Sequence, residues 1–115
     1  MTPLLYLNAH KDKFLDELLD LLRIPSVSAD KNFDNEVRNA ANFIKDKLIS
    51  SGVDHAELFE TKGHPIVYAE KIIDPSFSTV LVYGHYDVQP ADPYELWDHP
   101  PFKPCLLYTS PSPRD

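Results

Sequence analysis

The feature that most constrains the fold is a nearly unbroken apolar run at residues 79–83, which ends at Gly84. Runs of β-branched and aromatic residues without polar alternation are typical of a strand buried on both faces of a layered α/β domain. His85 and Asp87 follow this run directly. Functional groups in open α/β sheets gather beyond the carboxyl ends of the strands, so we expect the chemistry of this chain at residues 84–87.

Two amphipathic helices are predicted ahead of the first strand. Between residues 4 and 23, leucines and Phe14 recur at helical spacing, and Pro25 then ends the pattern. Asp34 is the predicted N-cap of a second helix, whose apolar stripe closes near Gly52. Both helices therefore precede any strand.

Three short strands are predicted after the helices, at residues 56–59, 66–69 and 79–83. Turn-forming residues separate them, first at Gly63 with Pro65 and then at residues 74–76. Residues 90–104 are rich in proline and aromatic residues without strand or helix periodicity, and we interpret them as a surface loop. The predicted fold class is α/β, with two helices followed by strands of a central mixed sheet.

Composition excludes several classes of function. The net charge is −7 and the pI about 5.0, without a basic patch, so a nucleic-acid partner is not expected. No apolar stretch approaches the roughly 20 residues that a membrane-spanning helix needs, so no membrane partner is expected either. The first leucines lack a preceding positive segment, and Cys105 is the single cysteine. These features favour a cytoplasmic protein.

The last eleven residues, 105–115, differ in character from the rest of the chain. They resemble, residue for residue, one reading frame through the adapter used in transposase-based sequencing libraries. We therefore divide the chain into a natural part, residues 1–104, and a non-native tail, residues 105–115, and expect the natural protein to continue beyond Pro104. The alternative is a native, disordered Ser/Pro-rich terminus.

His85 and Asp87 are the candidate site residues. Imidazole is the commonest ligand of catalytic zinc, and a nearby carboxylate can orient the ring and raise its basicity. Two residues in extended chain that are separated by one position point to the same side, so both groups can face one site. A His-x-Asp triplet also arises readily by chance in a chain with five histidines. On its own, the motif is better explained by a hydrogen-bonded turn at the end of a strand.

A longer stretch carries more information than the triplet. Residues 80–90, Val-Leu-Val-Tyr-Gly-His-Tyr-Asp-Val-Gln-Pro, closely resemble the first metal-ligand motif of the co-catalytic zinc hydrolases. That family contains cytosolic nonspecific dipeptidase, carnosine dipeptidase and acetylornithine deacetylase. Residues 22–28 and 97–102 resemble further segments of the family in the expected order. The resemblance covers about residues 4–104, and residues 86–90 are most similar to the dipeptidase branch.

The resemblance implies a metallopeptidase catalytic domain that hydrolyses dipeptides with two zinc ions, with manganese as the alternative metal. It implies that His85 binds one metal ion and that Asp87 is the catalytic aspartate, which tunes the neighbouring ligand or base. The other ligands and the glutamate base of the family are expected downstream, and the longer protein is expected to be a homodimer that takes small peptides. We therefore expect the 115-residue chain alone to be inactive and without a stable fold.

Two other functions remain open at this point. One is an amidohydrolase of the same family that acts on N-acyl amino acids, and the other is a non-catalytic α/β domain in which His-x-Asp is structural. The remaining histidines lack partners at ligand spacing, and we expect them to be surface or capping residues: His10, His55, His64 and His99. Ser26 and Ser28 lie in a loop after Pro25, and neither is expected to be catalytic.

Overall fold

The leucine-rich N-terminal stretch forms two helices in the computed structural model, which describes residues 1–106. Helix α1 spans Pro3–Ala9 and helix α2 spans Lys11–Leu22. The prediction of one continuous helix was therefore wrong at His10, whose ψ of 16° departs from helical geometry. The stop ahead of Pro25 is confirmed.

Local contacts of His10 account for the break. Its Nδ1–H donates to the carbonyl oxygen of Tyr6 at 2.9 Å, and its ring stacks on the Tyr6 ring with centroids 4.2 Å apart. The side chain thus caps α1, while its own carbonyl accepts from the N–H of Phe14 in α2 at 3.0 Å. At the other end, Thr2 Oγ1 accepts from the N–H of Leu5 and begins α1.

The second predicted helix is helix α3, which spans Asp34–Ser50. A 3₁₀ turn at Lys31–Phe33 precedes it, capped by Asp30, whose Oδ1 accepts from the N–H of Asn32 at 2.9 Å. Asp34 is consequently the first helical residue, and its predicted role as the N-cap was wrong. The helix closes before Gly52, whose φ of 95° is the left-handed conformation that glycine adopts most readily.

Two of the three predicted strands are confirmed. Strand β1 spans His55–Phe59 and strand β2 spans Ile66–Glu70, and they pair in antiparallel register with Leu58 opposite Val67. Alternate side chains along each strand are half-buried, because one face of the hairpin packs against α3. Small α3 residues allow close approach: Val37, Ala40 and Ala41 are fully buried.

An ion pair joins α3 to the end of the hairpin's first strand. Arg38 donates two hydrogen bonds to the Glu60 carboxylate, at 2.7 and 2.9 Å. This pairing lowers the pKa of Glu60 and raises that of Arg38. Both side chains are about half-exposed, so the pair fixes orientation more than it stabilises the fold.

The third predicted strand, residues 79–83, was wrong as a buried strand. The segment forms no strand, and residues 80–83 are 82–91% exposed. A strand buried on both faces needs neighbouring strands and covering helices, and the described part of the chain pairs no strand with this segment. The predicted turn just before it is present, with Asp74 Oδ1 accepting from the N–H of Ser76.

The chain divides into two compact units. One unit is Ile24–Pro90, which contains α3, β1 and β2, and its helix-on-hairpin packing confirms the α/β class. The other joins Met1–Arg23 to the described residues from Ala91 onward, where the proline-rich loop includes a 3₁₀ turn at Tyr94–Leu96. Among residues 1–106, no helix is long and apolar enough to cross a membrane. Of the predicted tail, only Cys105 and Leu106 are described.

Overpacking tests the contact between α3 and the hairpin. In the longer protein, Ala41→Leu should lower the free energy of unfolding by about 1–3 kcal/mol, because a fully buried alanine leaves no room for a larger side chain. Asn39→Leu adds the same side chain to an exposed position of α3 and serves as the control. Urea titration followed by circular dichroism measures both, and equal losses would contradict this packing.

Candidate functional site

The His-x-Asp motif is held in place by a distant segment of the chain. Val27 and Val88 form a parallel β-bridge, and the N–H of Val88 donates to the carbonyl oxygen of Ser26 at 2.9 Å. Ser26 is itself buried, and its Oγ donates to the carbonyl oxygen of Tyr86 at 2.8 Å. The backbone on the C-terminal side of His85 is therefore fixed by residues that lie about 60 positions earlier.

The two candidate side chains contact one another. His85 Nδ1 lies 2.9 Å from Asp87 Oδ1 and 3.1 Å from the carbonyl oxygen of Asp87. Because both partners are oxygen acceptors, Nδ1 carries a proton, so in the neutral form of the ring the free lone pair is on Nε2. The His85 side chain is 76% exposed, so this nitrogen is open to a ligand.

Asp87 is bound on both carboxylate oxygens. Ser28 Oγ donates to Oδ2 at 2.6 Å, while Oδ1 accepts from His85. The Ser28 hydrogen bond is the main cause of a lowered pKa for Asp87. Burial, the next largest effect, opposes it, and the contact with His85 lowers the pKa further. The carboxylate is therefore held in its charged form at neutral pH.

Tyr86 turns in the opposite direction and anchors the motif to the hairpin turn. Its hydroxyl donates to the carbonyl oxygen of buried Pro65. Partial burial raises the pKa of Tyr86, and the nearby Asp87 charge raises it further, so the phenol stays protonated. A cleft of about 160 Å³ lies at this junction, lined by Ser28, Val37, His64, Pro65, His85, Tyr86 and Asp87.

Ser28 and His64 line this site although nothing in the sequence singled them out for a function, and Ser26 supports the backbone beside it. His64 had been expected to be an ordinary surface histidine, but it lines the cleft, and its Nε2–H donates to the carbonyl oxygen of Ser28 at 2.9 Å. The alternation of Ser26, Val27 and Ser28 could have suggested an extended segment with both serines on one side. It could not have identified their partners.

The other histidines do not line this cleft in the unit Ile24–Pro90. His55, on β1, pairs with Glu57 at 3.0 Å and agrees with the expected surface role. His10 and His99 belong to the other unit. Among residues 1–106, no group of three or more His, Cys, Asp or Glu side chains is arranged to hold a metal ion.

The donor chemistry of the site fits one ligand of a metal centre. A neutral imidazole whose Nδ1–H is bound to a carboxylate is the usual arrangement of a zinc-binding histidine, because the carboxylate fixes the tautomer and raises the basicity of Nε2. The same hydrogen bond is also compatible with a purely structural turn. By itself, a single imidazole does not complete a metal site.

Comparison with known proteins finds relatives that are all named as dipeptidases. The Cys-Gly metallodipeptidase DUG1 of Saccharomyces cerevisiae is 35% identical over 105 residues, which covers 81% of this chain and 22% of that protein. The Candida albicans protein of the same name is 38% identical over 104 residues, with 80% of this chain and 21% of that protein covered. The human Beta-Ala-His dipeptidase is 31% identical over 109 residues, or 84% and 22% of the two chains.

The structural comparison agrees with these relatives. The solved structure of the dipeptidase Dug1p from Saccharomyces cerevisiae superposes with a TM-score of 0.76 at 35% identity, covering 84% of this chain and 22% of the other. The chain thus spans about a fifth of the length of the relatives that it matches. No protein-family model matches the chain.

The Tyr86 anchor can be tested independently of chemistry. In the longer protein, Tyr86→Phe should lower the free energy of unfolding by about 1 kcal/mol, because it removes the hydrogen bond from the Tyr86 hydroxyl to the carbonyl oxygen of buried Pro65. Tyr83→Phe makes the same change at a side chain in an 89%-exposed residue and should have almost no effect. Thermal unfolding of the two variants measures the difference, and a change of equal size in both would refute the anchoring role.

Proposed function

This chain is a homologue of the metallodipeptidases, and on that premise we propose that the longer protein containing it hydrolyses dipeptides at a metal centre. The proposal is carried by the agreement between sequence identity and similarity of fold. Relatives named metallodipeptidases are 35–38% identical over about four fifths of the chain. The fold matches that of Dug1p with a TM-score of 0.76.

In this proposal, His85 is a metal ligand through Nε2. The 2.9 Å contact between Nδ1 and Asp87 supports the assignment, because it directs the free lone pair outward from an exposed ring. Two zinc ions are the proposed cofactor, with manganese as the alternative, since imidazole and carboxylate donors suit both metals. The metal would supply Lewis acidity toward the peptide carbonyl.

Asp87 is the proposed catalytic aspartate, and its part follows from its two hydrogen bonds. It holds the Nδ1 proton of His85, keeps the ring in one tautomer and increases the electron density at Nε2. Its lowered pKa keeps it ionised at the pH at which a neutral imidazole can serve as a ligand. Protonation of Asp87 at acidic pH would remove this support, so ligand strength should fall as the pH falls.

The remaining ligands and the general base are proposed to lie outside the residues described here. The His85 imidazole and the Asp87 carboxylate cannot by themselves hold a pair of metal ions, because each ion needs several protein ligands. We accordingly assign the activity to the longer protein and expect the 115-residue chain alone to be inactive. Small peptides are the proposed substrates, and a homodimer is the proposed assembly.

The decisive experiment is to sequence the natural transcript past the codon for Pro104, from a library prepared with an unrelated adapter. We expect it to continue into further Asp, Glu and His residues, and the protein made from it to hydrolyse dipeptides such as Cys-Gly. A chelator should abolish that activity, and added Zn²⁺ or Mn²⁺ should restore it. A transcript that instead encodes residues 105–115 followed by a stop codon would refute the proposal, as would selective hydrolysis of N-acyl amino acids.

The assignment of His85 predicts a coupled loss of metal and activity. In the longer protein, His85→Ala should lower dipeptide hydrolysis by more than about 100-fold, because loss of an outer-shell partner alone typically costs about 10–100-fold. Bound zinc, measured by atomic absorption after dialysis, should fall as well. His99→Ala is the matched control at a histidine without an assigned role. Normal zinc content and activity in His85→Ala would exclude His85 as a ligand.

A further inference from the structure

We propose that Ser28 is a positioning residue for the metal site, acting on His85 through the carboxylate of Asp87. The inference rests on the proposed function, since it deepens the roles given there to His85 and Asp87. It gives a role to Ser28, which lies outside the His-x-Asp motif and would otherwise be taken for part of a loop.

The geometry of Asp87 is set by two partners. Its two carboxylate oxygens are engaged by different partners, Oδ2 by Ser28 Oγ at 2.6 Å and Oδ1 by His85 Nδ1 at 2.9 Å. A hydroxyl-to-carboxylate distance of 2.6 Å is that of a strong, charge-assisted hydrogen bond. With both oxygens bound, the carboxylate cannot rotate without breaking one of the two contacts.

Ser28 is itself held from two sides. Its carbonyl oxygen accepts from His64 Nε2–H at 2.9 Å, which ties it to the turn between β1 and β2. The preceding residue, Val27, is 1% exposed and forms the parallel bridge to Val88. The Ser28 hydroxyl is thus presented from a fixed backbone, not from a freely moving loop.

The orientation of the His85 ring depends on this arrangement. The His85 side chain is 76% exposed, and its hydrogen bonds in the described structure both go to Asp87. Little packing therefore restrains the ring, and the direction of Nε2 follows the orientation of the carboxylate. Without the Ser28 hydroxyl, Asp87 Oδ2 loses its partner and the carboxylate becomes free to turn away from the ring.

The neighbouring serine provides a matched comparison. Ser26 lies in the same segment, but its hydroxyl donates to the backbone carbonyl of Tyr86 and not to Asp87. Ser26→Ala therefore removes a structural hydrogen bond of similar length while leaving both contacts of the carboxylate in place. Ser28→Thr keeps a hydroxyl at the critical position, and Ser28→Ala removes it.

The test compares these three variants with the wild type in the longer protein. Ser28→Ala should lower kcat for dipeptide hydrolysis by about 10–100-fold, with KM changed less than about threefold, and should weaken Zn²⁺ affinity by about tenfold or more. Ser28→Thr should restore most of both. Ser26→Ala should lower the thermal unfolding midpoint with a much smaller change in kcat and Zn²⁺ affinity. Affinity for Zn²⁺ alone is measured by competition with a chromogenic chelator.

Three results would overturn the positioning role. The first is an unchanged Ser28→Ala variant, the second is Ser28→Thr as impaired as Ser28→Ala, and the third is parallel loss of stability, kcat and Zn²⁺ affinity in Ser26→Ala and Ser28→Ala. If the wild type hydrolyses no dipeptide, the proposed function fails, but Zn²⁺ affinity still decides the role of Ser28. A weaker affinity in Ser28→Ala than in Ser26→Ala then supports positioning, and equal affinities refute it.

Discussion

The crossing of residues 26–28 over residues 86–88 is the contact on which the candidate site depends. It combines a parallel bridge, a backbone hydrogen bond and two serine hydroxyls that donate across it. His85 is mostly exposed, so the ordering of its ring comes from this crossing and not from a surrounding core. Few other contacts are needed to order the motif, because each hydrogen bond of the crossing restrains a different group of it.

Elements set by nearby residues could be predicted from the sequence. Helix α3, the strands β1 and β2, and the turn at Asp74 all follow from local periodicity, capping and turn chemistry. The ends of the helices could be predicted less well. The His10 side chain donates to a helical carbonyl oxygen, and Asp30 takes the capping role expected of Asp34. Such competition between neighbouring polar side chains is invisible to a hydrophobic pattern.

Long-range partners could not be predicted. Residues 79–83 have the composition of a buried strand, but composition does not provide the strands that must flank it, and the segment is exposed. In the site, the motif itself suggested His85 and Asp87, and the two do contact one another. Ser28 and His64 were missed because they lie 59 and 21 positions from Asp87 and His85, and no spacing rule connects residues so far apart in the chain.

The exposed apolar segment also bears on how this polypeptide behaves in solution. Val80, Leu81 and Val82 are β-branched or aliphatic, uncharged and more than 80% exposed, and their backbone N–H and C=O groups form no strand pairing in the described structure. An unprotected apolar stretch of this kind is a template for pairing with the same stretch of another molecule. Concentrated samples of the 115-residue polypeptide should therefore self-associate through intermolecular β-structure. The colloidal behaviour of the polypeptide is then set by this apolar segment and not by the hydrogen-bonded site.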